Sequence, residues 1–185
     1  SISGLVAHYD LEGNSKDTVG SFGSLVSSNQ KIDLDVDGYT SGSVADLSGN
    51  SNTATVNGAT YGTDPNGGGY FDLDGSNDDL TVSSFSELQS ATSYTFEGWF
   101  NTDVLSGYQR LFDVYDAGTP SNRKHVSFID ADGDVGFYNY NETGQSGDIY
   151  EPTLSSANRV VAGQWTHIAL VMDNLTEMAI YVNGV

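Results

Sequence analysis

The chain has 185 residues, 25 of them acidic against 6 basic, a net charge of −19 and no cysteine. That balance excludes a nucleic-acid-binding surface, which needs clustered Lys and Arg, repels an anionic membrane, and rules out disulfides, thiolate metal centres and cysteine nucleophiles. No stretch approaches the ~18 consecutive apolar residues that span a membrane, and Ser1-Ile2-Ser3-Gly4-Leu5 lacks the basic and apolar regions of a signal peptide.

The length suits one domain that buries its own core. The 22 Gly, 3 Pro, 11 Tyr and 8 Phe suit strands joined by tight turns. Leu5–Tyr9 is predicted as the opening strand. Residues 13–43 are polar and rich in Gly, Ser and Asp, and read as a long, mainly exposed excursion in which alternating Ile32, Leu34 and Val36 form a small edge strand. Asp46-Leu47-Ser48-Gly49-Asn50 is a turn, Ala54–Val56 and Ala59–Tyr61 flank the turn Asn57-Gly58, and Gly67–Gly69 makes a flexible tip. Leu80–Val82 is a strand, and Ser84–Ser90 is the one segment with helical spacing, enough for a single turn.

Ser93–Asn101 is a strong strand, with Tyr94, Phe96 and Phe100 on one face and Trp99 on the other. Arg110–Tyr115 and His125–Ile129 follow, and Asp132-Gly133 turns the chain back into Val135–Tyr140. Asn141–Ala157 is a second polar excursion. Trp165–Met172 is apolar on both faces, the mark of a central covered strand, and Met178–Val182 comes next. Asn183-Gly184 is the strongest hairpin signal, because both positions tolerate positive φ. Only Val185 of the following strand is present, which implies a fragment, an incomplete record or a strand supplied from elsewhere. Roughly ten short strands without crossover helices predict an all-β antiparallel sandwich or barrel.

Several segments resemble a known family. They are Gly4-Leu5-Val6-Ala7-His8-Tyr9, Asp46-Leu47-Ser48-Gly49-Asn50-Ser51-Asn52 with Val56-Asn57-Gly58-Ala59, and the run from Gly69 to Leu80. Phe96-Glu97-Gly98-Trp99-Phe100, the run from Gly163 to Val171, and Tyr181-Val182-Asn183-Gly184 complete the pattern. In order and spacing these resemble laminin-G-like jelly rolls of the concanavalin-A-like superfamily. The resemblance implies an antiparallel jelly-roll β-sandwich. Residues 1–185 then form a single laminin-G-like domain with an insertion near residues 18–45, and further strands are expected after residue 185. Members include glycan-binding modules, cell-surface adhesins and phage virion proteins, so fold alone does not choose among functions.

The richest chemical segment is Asp74-Gly75-Ser76-Asn77-Asp78-Asp79. Calcium takes oxygen ligands from carboxylates and amides, and Asp74, Asn77, Asp78 and Asp79 are the candidate ligands; the competing reading is a polar turn that caps strands. Asp130-Ala131-Asp132-Gly133-Asp134 resembles half a calcium loop, but Val135 and Asn141 stand where Gly and Glu are needed, so a hairpin turn is expected. His8, His125 and His167 form no short-spaced pair, and Trp99 and Trp165 are expected in the core. Tyr108, Tyr115, Tyr138, Tyr140 and Tyr150 are the candidate ligand-binding residues, since aromatic rings stack on the C–H faces of sugars while remaining ordinary strand residues otherwise.

Catalysis is not expected. A retaining glycosidase needs two carboxylates ~5–5.5 Å apart, and the six glutamates at 12, 87, 97, 142, 151 and 177 never form the E-x-D-x-x-E spacing of hydrolases with this fold. Gln164-Trp165-Thr166-His167 likewise departs from the lyase motif, and no nucleophile elbow or phosphate loop occurs. The expected function is a non-catalytic extracellular recognition or adhesion module that binds a glycan or surface polymer with calcium assistance. The alternative is a structural assembly protein, such as a phage virion decoration protein or surface filament subunit, whose partners are neighbouring subunits. Either reading places the chain outside the cell, on a cell surface or a virion surface.

Overall fold

The computed structural model describes residues 2–4, 32, 34–63, 68–83, 91–116, 119–139, 149–151, 159–174 and 177–185. In chain order its strands are β1 (Ile2–Gly4), β2 (Leu34–Thr40), β3 (Ser43–Asp46), β4 (Ala54–Asn57), β5 (Thr60–Thr63), β6 (Gly69–Asp72) and β7 (Asp79–Val82). They continue as β8 (Tyr94–Phe100), β9 (Gln109–Asp116), β10 (Thr119–Ile129), β11 (Val135–Asn139), β12 (Ile149–Glu151), β13 (Thr166–Asp173) and β14 (Glu177–Val182). No helix occurs among the described residues, and none is long and apolar enough to cross a membrane. The strand expected at Leu5–Tyr9, the helical turn at Ser84–Ser90 and the excursion at Asn141–Ala157 lie outside the described residues apart from the short β12. The chain divides into two units, Ala7–Ser83 and Ser1–Val6 with Ser84–Val185.

In Ala7–Ser83 the antiparallel order is β7-β4-β3-β2, and β5 and β6 form a separate hairpin. Alternation buries one side of each strand: Leu34, Val36, Val44, Ala54, Leu80 and Val82 are all at most 1% exposed. Residues 34–46 are therefore core strands with a buried face, where sequence reading expects a mainly exposed excursion. Among the described strands β2, of seven residues, is at the edge, as its alternation suggests but longer. The turn that joins it to β3 is Ser41-Gly42, with φ of 49 and 93, a two-residue hairpin whose twist matches the flanking strands. Tyr39 of β2 stacks on Tyr61 of β5 at 5.3 Å and meets Phe71 of β6 edge-on at 5.3 Å, which packs the small hairpin against β2. The Asp46 carboxylate accepts the N–H groups of Ser48 and Asn52 at 2.9 and 2.8 Å, and this closes the predicted turn.

In the second unit β12-β11-β10-β9-β1 form one sheet and β14-β13-β8 another, every pairing antiparallel. Phe96 of β8 stacks on Phe112 of β9 at 5.3 Å, Phe100 meets Phe112 edge-on at 5.5 Å, and Phe96 lies 4.5 Å from the His125 ring on β10. These contacts join the two sheets face to face, so the expected all-β sandwich is formed. β13 contributes Ile168, Leu170 and Met172 to that core, each at most 1% exposed. It is central in its sheet, but its other side carries half-buried His167, Ala169 and Val171, so it is covered on one side only. Irregular pairing between β9 and β10 is bridged by the buried Ser127 hydroxyl, which accepts the Phe112 N–H at 2.9 Å and donates to the Phe112 carbonyl at 3.2 Å. The hairpin at Asn183-Gly184 forms as predicted: φ is 52 and 79, and Val182 and Val185 exchange both backbone hydrogen bonds.

Burial lowers the pKa of His125 from 6.5 to about 3. Its neighbours in the core are the rings of Phe96 and Tyr94, whose hydroxyl lies 3.5 Å from Nδ1 and is itself held protonated by burial. Between these two pKa values the unfolded chain binds a proton that the folded chain refuses. Stability therefore falls as pH drops through that window, by an amount on the order of 3 kcal/mol at pH 4. In urea unfolding between pH 7 and pH 4, His125→Leu is expected to show a flatter loss of midpoint than the native chain.

Candidate functional site

The Asp74–Asp79 segment forms a tight turn between β6 and β7. Asp78 Oδ2 accepts the Asp74 N–H at 2.9 Å, and Asp74 Oδ1 accepts the Ser76 N–H at 2.8 Å. Asp79 Oδ1 accepts the Asn57 amide and the Thr81 hydroxyl, both at 2.6 Å. Asn77 is exposed at the tip. Gly58, at φ +74, lies so close to Asp78 that any side chain there would collide with the carboxylate. The donors have the hard-oxygen chemistry of a calcium site, yet these carboxylates accept hydrogen bonds from the turn, for Asp74 and Asp78, and from strands β4 and β7, for Asp79. Among the described residues no group of three or more His, Cys, Asp or Glu is placed to share a metal ion.

The second acidic segment is a hairpin turn, as expected. Asp130 Oδ1 accepts the N–H groups of Asp132 and Asp134 at 2.9 and 3.0 Å, and Gly133 takes φ +82. Arg159 Nε lies 3.0 Å from Asp134 Oδ1, pairing a half-exposed guanidinium with a carboxylate only 4% exposed. The Val160 N–H donates to the Gly133 carbonyl at 2.8 Å and fastens the 159–160 segment to the same turn.

Two of the five candidate tyrosines are brought together. Tyr108 stands edge-on to Phe128 at 4.8 Å, and Tyr138 lies against the same ring at 5.3 Å. Phe128 is 4% exposed, whereas Tyr108 is 70% exposed. The cluster depends on Gly136, the register partner of Phe128. A Cβ at Gly136 would lie 2.5 Å from Phe128 Cζ, so the ring rests where a side chain would stand. Of Tyr115 and Tyr150 the backbone alone is described: Tyr115 pairs with Ser3 and Arg123, and Tyr150 with Tyr138. Tyr140 lies outside the described residues.

Sequence reading misplaces the tryptophans. Trp165 is 38% exposed and Trp99 is half-buried, and neither belongs to the sandwich core. Trp99 lies on the side of the β14-β13-β8 sheet that faces away from Phe96, because it falls on the opposite phase of the two-residue alternation, and Trp165 is exposed immediately before β13. Trp is large and aromatic, so residue type points it inward; for Trp99 the alternation phase set by Phe96 is the signal that would have found it.

A laminin-G-type family model, described as the concanavalin A-like lectin/glucanases superfamily, matches residues 74–185. The fold is also similar to a solved structure, an S-layer domain-containing protein (residues 221–444) from Clostridium thermocellum, with a TM-score of 0.50 and 22% identity. That likeness covers 79% of this chain, which spans 64% of that one. Comparison with the curated proteins found no match.

Gly136→Ala is expected to push the Phe128 ring off its seat and destabilise the chain by roughly 1–3 kcal/mol. The readouts are a lowered urea midpoint and a weakened near-ultraviolet circular dichroism signal from the Tyr108–Phe128–Tyr138 cluster.

Proposed function

Since the chain belongs to the concanavalin A-like lectin/glucanases superfamily, we propose that it is a non-catalytic recognition or adhesion module at a cell or particle surface. Its ligand in this reading is a glycan or another surface polymer. The observation that carries the reading is the wall of Tyr108 and Tyr138 on Phe128, in which a largely exposed ring is braced from behind by a buried one. A braced ring offers a flat apolar surface at little entropic cost on binding. The glutamates lack the spacing of a hydrolase pair, which supports binding without turnover. The name of the similar solved structure, an S-layer domain-containing protein, accords with a surface setting. It also motivates the second reading, a subunit of a surface or virion assembly; a mass that rises with concentration in sedimentation, without glycan affinity, would favour that one.

Affinity electrophoresis through gels containing polysaccharide tests the first reading. Retardation is expected, and Tyr108→Ala should weaken it by roughly three- to tenfold, the worth of one aromatic contact. Unretarded migration in every polysaccharide tried would count against glycan recognition.

Calcium assistance belongs to the same proposal, with the condition that Asp74, Asp78 and Asp79 give up amide and hydroxyl partners to bind the ion. A calcium-dependent rise in unfolding midpoint, abolished by chelator and by Asp78→Asn, is the expected mark of such a site. An unchanged midpoint makes the segment a hydrogen-bonded turn and nothing more.

A further inference from the structure

One face of the β14-β13-β8 sheet is the sandwich core; the other carries aromatic rings. Strand register sets Trp99 beside His167 and sets Glu97, Ala169 and Tyr181 in one row across the three strands. Trp165 stands immediately before β13, two positions ahead of His167. Trp165 and Tyr181 are 38% and 43% exposed. The Trp99 ring meets His167 at 5.3 Å with planes 63° apart, and His167 Nε2 lies 3.8 Å from Glu97 Oε2. Of the chain's two tryptophans, Trp99 lies on this face and Trp165 is exposed at the start of β13.

We propose that this sheet face is the principal glycan platform, and that its ligand is an uncharged polysaccharide of pyranose rings. The proposal rests on the recognition reading above and assigns the main contact to Trp99, Trp165 and Tyr181. Three observations carry it. First, the rings surround a low floor: Ala169 stands between Glu97 and Tyr181, so nothing tall fills the middle of the row. Trp99 and Tyr181 are two strands and two residues apart, roughly 12 Å from strand spacing and rise, a span suited to a short run of sugar rings rather than a single one. Second, polar groups sit beside the planes. The Glu97 carboxylate accepts from sugar hydroxyls, and the His167 ring can accept or donate, while its contact with Trp99 restrains both rings before binding. Third, the charge selects the ligand. The chain carries −19, and Glu97 lies within the face, so sulfated or uronate polymers meet repulsion, whereas a neutral polymer meets none.

Tryptophan emission is the readout, since the chain's two tryptophans are Trp99 on this face and Trp165 at the start of β13. The intact chain is titrated with neutral hexasaccharides of β-linked glucose and of N-acetylglucosamine, with calorimetry alongside. Saturable quenching with a blue shift is expected. Trp165→Ala and Tyr181→Ala, both at exposed positions, should each lower affinity well over tenfold while urea unfolding stays as in the native chain; Tyr108→Ala should cost only the roughly three- to tenfold of one lesser contact. Binding that survives Trp165→Ala and Tyr181→Ala but is lost in Tyr108→Ala would overturn the platform and leave the recognition reading standing. Binding confined to sulfated or uronate oligosaccharides would overturn the assigned ligand class. Absence of binding to every glycan overturns both readings, and self-association abolished by Trp165→Ala would give the face to a second copy of the chain.

Discussion

The stacking of Phe96 on Phe112, with His125 closing against the same ring, is the contact on which the larger unit depends. It joins two separate sheets, so among the described strands their face-to-face arrangement rests on side-chain packing rather than on a shared ladder. It also sets the phase of everything else. Once Phe96 points inward, Gly98 and Phe100 follow it, and Glu97 and Trp99 point outward. The same holds on β13, where Thr166, Ile168, Leu170 and Met172 are buried and His167 and Ala169 are turned away. A slip of one residue would put the indole inside and the phenyl ring in water. Core and recognition face are two readings of one alternation.

Much of this was legible from residue order. The strands around Phe96, His125 and Ile168, the turns at Asp132-Gly133 and Asn183-Gly184, and the placing of Trp99 on the face opposite Phe96 all follow from period-two patterning and turn chemistry, although residue type alone points Trp99 to the core. Three things were not legible. β2 and β3 are joined by Ser41-Gly42, and a serine at φ 49 is a poor turn signal, so β3 and the full length of β2 were hidden inside a polar segment. The convergence of Tyr108 and Tyr138 depends on the register of β10 with β11 and on the seat at Gly136, both of which arise from pairing across the sheet. Trp165 was assigned inward by its apolarity, although one strand face has room for only so many large rings. The five tyrosines were chosen by residue type, and type does not say which of them meet.

The acidity also has a local explanation. Asp46, Asp74, Asp78 and Asp130 each place carboxylate oxygens on backbone N–H groups of their own turns. A turn exposes amides that a strand ladder would otherwise satisfy, and aspartate is short enough to reach them. A chain made of many short strands thus gathers carboxylates as structural acceptors without needing a cation for each. Where a carboxylate is deeply buried, at Asp134, one of the few arginines stands against it. The charge of −19 is in part a by-product of how the turns are closed.

Asn183 closes the last rung of the β13–β14 ladder in an unusual way. Its own N–H donates to the His167 carbonyl at 2.8 Å, and its side-chain Oδ1 accepts the His167 N–H at 3.0 Å, so a side-chain carbonyl stands in for a peptide carbonyl. Asparagine before glycine is also the pair most prone to deamidation, through attack of the glycine nitrogen on that side-chain carbonyl carbon and closure of a succinimide ring. In the folded chain the carbonyl is held on the His167 N–H, and swinging it onto the glycine nitrogen pulls against that rung. Chemical ageing at Asn183 is therefore coupled to fraying of the sheet, and the aspartate or isoaspartate left behind is a durable record of how often that end of the strand pair has come apart.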